Sequence, residues 1–393
     1  MTLILPTPAG RDFLDRPDPQ AEPALPSGLV TMGVEEEFLL VDRHTRAPSG
    51  SAPHVLEAAA TVLGSQAQGE FYTAQVEVCT QPVSTAAALR AELVRLRRVM
   101  GDAAAGEGCL LVASGTPVTD PAEPLTVSDD ERYQRMAHGF AAALGQYDGI
   151  VCGCHIHVGV TSRAQALALA NHMRPWLPTL QHLAANSPFV HGRDTSYASR
   201  RAVEHTRWPT VGPAPMLPDE AAYEEAVTSL MAERGLLDRR MIYWYARPSE
   251  HVPTLEIRVA DVNADVDTVV LLAALVRALA TTLLTDISQG RPVPMFPETA
   301  LYEAHRMAAR HGMEGVGLDP ATGCTLPAHI LAERLLAKTA PALAVAGDLS
   351  LVEQHLWQLR TYGGGAARQR AAYGHHGRLR DVVDYLAETT AAA

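Results

Sequence analysis

The sequence has 393 residues, of which 47% are hydrophobic and 19% are charged, and its formal net charge is −12. This length and apolar content can bury a large core, and the acidic balance argues against bulk nucleic acid or an anionic membrane as partner. No run reaches the roughly 18 consecutive apolar residues of a membrane-spanning helix, and the start of the chain lacks a secretory signal pattern; we therefore expect a cytoplasmic protein that acts on small polar molecules.

Sequence pattern divides the chain into a lead-in, one large unit and a tail. Residues 1–28 are rich in Pro, Ala and Asp without periodicity, which predicts a mobile segment. Residues 29–386 are predicted to form a single catalytic domain, and the alanine-rich residues 387–393 a frayed tail.

The predicted strands and helices do not alternate regularly along the domain. Strand-like runs lie at 30–41, 70–80, 108–114, 149–160 and 252–262. Apolar residues recur at helical spacing, which predicts helices, at 86–100, 162–184, 219–233, 267–288, 327–345 and 348–360. This order predicts an α+β fold, in which an antiparallel sheet has helices on one face, rather than a doubly wound parallel sheet.

Four of the predicted strands place acidic, histidine or arginine side chains on one face. Residues two apart share a face of a strand. The residues grouped in this way are Glu35 with Glu37, then Glu77, then His155 with His157, and then Glu256 with Arg258. Apolar residues fill the opposite face, except that Glu36 points there and is expected to be paired or to act as a cap.

Two interpretations fit this alternation. A solvent-exposed sheet face also alternates polar with apolar residues. However, neighbouring strands would bring Glu35, Glu37, Glu77 and Glu256 close together, and their mutual repulsion would then require cations. Oxygen ligands with one or two histidines favour Mg²⁺ or Mn²⁺. Zinc is the alternative, because His-x-His and the cysteines Cys152 and Cys154 are potential ligands, although no second Cys/His pair has finger-like spacing.

Several ordered motifs between residues 30 and 385 resemble the glutamate–cysteine ligase type 2 group, the carboxylate–amine ligases of the glutamine synthetase-like superfamily. The motifs are Gly33–Phe38, Val76–Thr80, Cys152–Gly159, Asn186–Phe189, Gly192–Thr195, Ala198–Arg201, Arg207–Thr210 and Thr254–Asp261. The resemblance implies a curved antiparallel sheet like that of the glutamine synthetase and guanido kinase catalytic domains. It also implies ATP-dependent, ADP-forming ligation through an acyl phosphate, Mg²⁺ or Mn²⁺ as cofactor, and a homodimer. The only lysine, Lys338, is far from any phosphate-binding loop pattern, which is consistent with a different nucleotide-binding fold.

The resemblance also implies roles for individual residues. Metal ligands are predicted at Glu35, Glu37, Glu77, His155 and Glu256, and the catalytic set is Arg258, Glu256 and Glu37. Arg258, His157 and Arg201 are predicted to contact ATP, and Arg193, Asp194 and Ser199 the substrates. His157 could equally be a metal ligand or a strand residue without a role, and the segment 193–201 could be a solvated turn.

The chain departs from the family pattern at three places. Tyr245 stands where an aspartate is usual, Ser196 replaces a glycine, and the segment 303–310 replaces a more basic one that contains tryptophan. Glutamate, cysteine and ATP are therefore the first candidate substrates, and another carboxylate and amine the alternative. Two hypotheses from other classes are a metal-dependent hydrolase that uses the His-x-His pair, and a non-catalytic binding protein.

Overall fold

A seven-stranded antiparallel sheet forms the centre of the protein. The computed structural model describes residues 30–141 and 149–392, so the predicted mobile lead-in at 1–28 lies outside the described residues. The strands of this sheet are β1 (Met32–Asp42), β2 (Ala67–Gly69), β3 (Gln75–Cys79), β4 (Cys109–Val112), β5 (Gly153–Gly159), β8 (Ala246–Pro248) and β9 (Thr254–Asp261). Their order is β2-β3-β1-β5-β9-β8, and β4 pairs with the second half of β1.

Two further hairpins complete the strands of the described residues. They are β6 (Phe189–Val190) with β7 (Arg193–Asp194), and β10 (Val316–Asp319) with β11 (Cys324–Pro327). All strand pairs in the central sheet are antiparallel, which confirms the predicted α+β class. Strand β1 is central because it pairs with β3 and β5 along its first half.

Helices surround the sheet. In chain order they are α1 (Ala52–Leu63), α2 (Ala86–Gly106), α3 (Glu131–Gly139), α4 (Arg163–Met173), α5 (Leu177–Ala184), α6 (Arg200–His205), α7 (Glu220–Arg234), α8 (Val266–Ser288), α9 (Glu298–His311), α10 (Ala328–Ala346), α11 (Leu349–Tyr362), α12 (Gly365–His376) and α13 (Leu379–Ala391). The inward residues of β1, β5 and β9, among them Val34, Ile156 and Ile257, pack with α2, α4, α5, α8 and α10 in one core. The opposite face of these three strands is left free for polar side chains.

Helix α8 is long and strongly apolar. Its length and mean hydropathy of 2.0 would suit a membrane span, but 78% of that stretch is buried inside the protein. It packs against α2, α4, α10 and α11. Its hydrophobicity therefore reflects a central position in the core.

Three predicted segments differ from the structure, one of which is the strand predicted at 70–80, where β3 covers only Gln75–Cys79. The helix predicted at 162–184 is divided into α4 and α5 by a 3₁₀ turn at Arg174–Trp176, where Pro175 cannot supply a backbone donor. The predicted frayed tail is also incorrect for residues 387–391, which belong to α13. Ala387 and Thr390 are buried, and the Thr390 hydroxyl accepts a hydrogen bond from the Ala113 backbone N–H at 3.1 Å.

Glu36 is paired beneath the sheet, as its position on the apolar face predicted. The Arg97 guanidinium of α2 donates from Nε and Nη2 to the two Glu36 oxygens at 3.0 and 2.6 Å. Arg97 also donates to the carbonyls of Asn263 and Ala264, which follow β9. The ion pair thus ties β1 to the end of β9 through a helix.

Candidate functional site

The polar face of the sheet forms the floor of a cleft of about 910 Å³. Registers place Glu35 opposite His155 and Cys79, Glu37 opposite Glu77, and His157 opposite Glu256. All the predicted metal ligands, together with His157, Arg201 and Arg258, line this cleft. The side chains that the alternation pattern placed on one face therefore lie together in one cleft, as predicted.

Glu35 lies between the two histidines of β5. Its Oε2 is 3.2 Å from His155 Nδ1, and its Oε1 is 3.2 Å from His157 Nε2. The other nitrogen of His157, Nδ1, lies 2.8 Å from the Thr254 hydroxyl, which orients the ring. Burial raises the pKa of Glu35, but the charge of His157 and hydrogen bonds with both histidines outweigh it, so the pKa lies well below its usual range.

Glu256 lies between two arginines at the other side of the histidines. Its Oε2 accepts from Arg247 Nε at 2.8 Å, and its Oε1 pairs with Arg258 Nη1. Burial raises the pKa of Glu256, yet the charges of Arg247 and Arg258 outweigh it and lower the pKa strongly. Glu256 is therefore an ionised carboxylate that fixes the guanidinium groups of Arg247 and Arg258 at the cleft.

Three carboxylates crowd together at the β1–β3 side of the cleft. Glu37 accepts a hydrogen bond from the Gly153 backbone N–H at 2.6 Å, and Glu77 accepts one from Gln68 Nε2 at 2.9 Å. Glu70, in the loop between β2 and β3, joins them. Burial and the charges of Glu35, Glu70 and Glu37 raise the pKa of Glu77 well above its usual value, while burial and Glu37 raise the pKa of Glu70 to about 7.

These side chains fit a site for divalent cations. Three groups have one ligand atom per residue within 4.8 Å of one another: Glu35–Glu77–His155, Glu35–His157–Glu256 and Glu37–Glu70–Glu77. His155 Nε2 is buried and makes no hydrogen bond to any described residue. Carboxylate oxygens with one or two imidazoles suit Mg²⁺ or Mn²⁺. The zinc alternative loses its thiolates, because Cys154 and Cys152 are buried in the two hydrophobic cores.

The raised pKa of Glu70 predicts a pH dependence of stability for the metal-free protein. Between the usual value of 4.5 and the folded value of about 7, the folded state holds a proton that the unfolded state has released. The contribution of Glu70 to the free energy of unfolding should therefore fall as pH rises from 5 to 8, and Glu70→Gln should remove this contribution. Thermal unfolding in EDTA at pH values from 5 to 8 measures this pH dependence. The same pH dependence in the wild type and in Glu70→Gln would contradict the prediction.

Arg201 enters the cleft from the start of α6. It is 3% exposed, its Nη1 lies 4.0 Å from Asp261 Oδ1, and its Nε makes no hydrogen bond to a described residue. Its backbone N–H donates to the Ser187 hydroxyl at 3.0 Å, and Ser187 in turn donates to Asp261 at 2.7 Å. Arg201 is thus a buried cation with donor capacity left for a ligand.

The three predicted substrate contacts do not line the cleft. The Ser199 hydroxyl is buried, donates to Asp261 at 2.8 Å and caps α6 by accepting from Ala202 N–H, which gives it a structural role. Arg193 and Asp194 form the short strand β7 and are exposed, and Asp194 pairs with Arg370 at 2.7 Å. Substrate contact at these two residues stays a prediction, made without support from the geometry.

Sequence reasoning missed several residues of the cleft wall. The described wall residues that face the predicted set are Glu70, Arg132, Tyr133, His205, Tyr243 and Arg247. Arg247 sits on β8 opposite Glu256 in the register, so the alternation rule could have found it had the three-residue strand been recognised. The others lie outside the central sheet, where no periodic pattern marks them.

Two of the three places where the chain departs from the family pattern, Tyr245 and the segment 303–310, contact each other. The rings of Tyr245 and His305 lie 4.6 Å apart, and His305 belongs to α9, within the altered segment 303–310. Neither residue lines the cleft. Tyr245 and the altered segment 303–310 therefore contact each other outside the cleft.

The third departure, Ser196, adopts a backbone conformation that favours glycine. Its φ is 62°, in the left-handed region. Ser196→Gly should raise the free energy of unfolding by about 0.5 kcal/mol, because relief of strain exceeds the added entropy of the unfolded chain. Urea unfolding tests this, with Ser51→Gly as the control, since Ser51 has a φ of −91° and should lose stability. Equal effects of the two substitutions would contradict the interpretation.

Comparison with known proteins assigns the family. The model of glutamate–cysteine ligase family 2 matches residues 31–385. The chain belongs to this family. A protein of Salinispora arenicola provisionally named glutamate–cysteine ligase 2 is 42% identical over 366 residues, 93% of this chain and 96% of the relative. A Salinispora tropica protein with the same provisional name is 43% identical over 363 residues, 92% and 95% of the two chains.

Solved structures of other ligases share the fold of this family 2 member. A Francisella tularensis glutamate–cysteine ligase in complex with AMP superposes with a TM-score of 0.71 at 13% identity and covers 92% of this chain and 88% of its own. A bifunctional glutathione synthetase of Pasteurella multocida gives a TM-score of 0.66 at 14% identity, over 93% of this chain and 52% of its own. At these identities the likeness concerns the fold.

Proposed function

We propose that the protein is a cytoplasmic ATP-dependent ligase that joins a carboxylate to an amine through an acyl phosphate and releases ADP. The observation that carries the proposal is one cleft in which clustered carboxylates and histidines face several arginines. This combination suits a nucleoside triphosphate with its divalent metal ions. Membership of glutamate–cysteine ligase family 2 makes glutamate and cysteine the first substrates to test.

The chemistry of the reaction explains why such a cleft is needed. A carboxylate resists attack by an amine because it is anionic and resonance-stabilised. Transfer of the γ-phosphoryl group of ATP to one carboxylate oxygen forms an acyl phosphate and ADP. The amine then attacks the acyl carbon, phosphate leaves with the C–O bond electrons, and the amine loses a proton.

The carboxylate groups would hold the divalent cations. Glu35, Glu37, Glu77, His155 and Glu256 are the proposed ligands, and we add Glu70 and His157, which have ligand atoms within 4.8 Å of members of this set. Mg²⁺ or Mn²⁺, when bound, would screen the charge of the phosphate groups. Because the ligands come from adjacent strands and one loop, the sheet itself sets their spacing.

The arginines would orient the anionic groups. Glu256 holds Arg247 and Arg258 in fixed positions at the cleft, so their remaining donors are preorganised for a carboxylate or a transferring phosphoryl group. Arg201 adds a third guanidinium, which is buried and has an unused donor. Arg258 and Arg201 therefore remain our candidates for contacts with ATP, and His157 for a contact with phosphate or metal.

Hydroxylamine trapping tests the proposal. With Mg²⁺, ATP and a panel of carboxylates including glutamate, hydroxylamine should intercept the acyl phosphate and give a hydroxamate, with ADP and phosphate as co-products. AMP and pyrophosphate would instead indicate an acyl adenylate. Metal-dependent hydrolysis without ATP would support the competing hydrolase hypothesis, and sedimentation of the purified protein would test the homodimer that we also propose.

A further inference from the structure

Gly153, the first residue of β5, lies directly against the guanidinium of Arg201. A Cβ atom at position 153 would lie 2.4 Å from Arg201 Nη2 and 3.0 Å from Arg201 Cζ. Non-bonded carbon atoms pack best at about 3.5–4.0 Å. A side chain at position 153 and the present position of the Arg201 guanidinium therefore exclude each other.

The backbone of Gly153 does not itself require glycine. A glycine is needed either where φ is positive or where another group approaches the backbone closely. Gly153 belongs to an extended strand, and its φ is not in the left-handed region. The close approach of Arg201 is therefore the structural reason for glycine at this position.

Gly153 also supports a carboxylate of the cleft. Its backbone N–H donates to Glu37 Oε2 at 2.6 Å. In the register of β5 and β9, Gly153 stands opposite Asp261, whose Oδ1 lies 4.0 Å from Arg201 Nη1. One residue without a side chain is thus in contact with both a proposed metal ligand and a buried cation.

The guanidinium of Arg201 has little freedom to move away from Gly153. Arg201 is 3% exposed, and its Nη2 donates to the carbonyl oxygen of Arg258 at 3.5 Å. The three atoms nearest to a methyl group at position 153 are all side-chain atoms. Such a methyl group would therefore push the guanidinium out of its position, whereas the backbone can stay in place.

We propose that Gly153 is a positioning residue, whose missing side chain keeps the Arg201 guanidinium where it binds an anionic group of a substrate. This inference rests on the proposed ligase function. Arg201 lines the cleft and has an unused donor, so its exact place decides whether that donor reaches the substrate. A misplacement of about 1 Å can cost about a hundredfold in rate. Gly153→Ala should therefore lower kcat/KM by about tenfold to a hundredfold.

A double-mutant cycle with Arg201→Gln tests this inference, because glutamine lacks the Cζ and Nη atoms that the methyl group would meet. In the hydroxamate assay, both single variants should raise KM for the same substrate, either ATP or the carboxylate. The double variant should match Arg201→Gln within about twofold in kcat/KM. Gly101→Ala is the matched control and should keep the wild-type kcat/KM, since a Cβ at Gly101 in α2 would meet no atom within 4 Å beyond its own stretch of helix.

Binding of Mn²⁺ to the metal-free protein gives a measurement that does not depend on activity. Alanine keeps the backbone N–H that donates to Glu37, so electron paramagnetic resonance should give the same Mn²⁺ affinity for Gly153→Ala and the wild type. His155 Nε2 also lies 3.0 Å from the Cβ position. A loss of Mn²⁺ affinity of about tenfold or more would show that the methyl group displaces His155 instead, and would overturn the inference.

The remaining outcomes separate this inference from the ligase proposal. Wild-type kcat/KM in Gly153→Ala, or additive losses in the double variant, would overturn only the role of Gly153. Absence of hydroxamate and ADP with the wild type would overturn the ligase proposal, and this inference with it. If Gly153→Ala alone does not fold, folding of the double variant would identify Arg201 as the group that the methyl meets, whereas failure of both to fold would overturn the inference.

Discussion

Glu256→Gln should lower the rate of hydroxamate formation about a hundredfold or more and should also destabilise the protein. Glu256 is 3% exposed and pairs with both Arg247 and Arg258. Removing its charge frees the two guanidinium groups from their positions, and preorganised groups of this kind are worth about 10² to 10³ in kcat. It also leaves two partly buried guanidinium groups without their counter-ion, at a cost on the order of 3 kcal/mol.

Carboxylate repulsion alone, which is all that the sequence displays, predicts no loss of stability for this variant. The structure predicts a loss of stability instead, because Arg247 and Arg258 lower the pKa of Glu256 despite its burial. The stabilisation is present at pH values above the usual carboxyl pKa, and it is lost as pH falls below that value. Glu303→Gln is a suitable control, since Glu303 forms an exposed pair with Arg306.

Glu77→Gln provides the contrasting case. Burial and three neighbouring carboxylates raise the pKa of Glu77, and Gln68 is its hydrogen-bond partner. Neutralising it should raise the melting temperature in EDTA while abolishing the further rise that Mg²⁺ produces in the wild type. Thermal unfolding with and without Mg²⁺ distinguishes the two variants. Equal destabilisation of Glu77→Gln and Glu256→Gln in EDTA would refute this account of the cleft.

Arg97→Ala should lower the free energy of unfolding by about 3–5 kcal/mol. The substitution leaves the carboxylate of Glu36, which is fully buried, without its bidentate partner and removes two hydrogen bonds to the carbonyls of Asn263 and Ala264. Arg97→Lys should recover only part of the loss, because an ammonium cannot form the two-pronged contact.

Denaturant unfolding measures this effect, and the same helix supplies a control. Arg98 follows Arg97 directly on α2 and is exposed, so Arg98→Ala should change the free energy of unfolding by about 0.5 kcal/mol or less. Since Glu36 lies between Glu35 and Glu37 on β1, Arg97→Ala should also weaken Mg²⁺ binding. A stable Arg97→Ala protein would show that the ion pair contributes little.

Local sequence was sufficient to establish which residues share a face. Side chains two apart on a strand point to the same side whatever the rest of the chain does, so Glu35 with Glu37, His155 with His157 and Glu256 with Arg258 follow from alternation alone. The apolar neighbours of these residues likewise indicated which face the helices cover. Short elements escaped this reasoning, since β8 has three residues and cannot show a period.

What each polar group faces, by contrast, depended on the tertiary fold. Glu77 and Glu256 look alike in sequence, yet one lies among carboxylates and the other between two arginines, and their pKa values move in opposite directions. Ser199 was predicted to contact a substrate, whereas its hydroxyl is bonded to Asp261. The physical reason is that charge interactions and hydrogen bonds depend on distances of a few ångströms between residues far apart in the chain, which strand registers and helix packing set and local sequence does not encode.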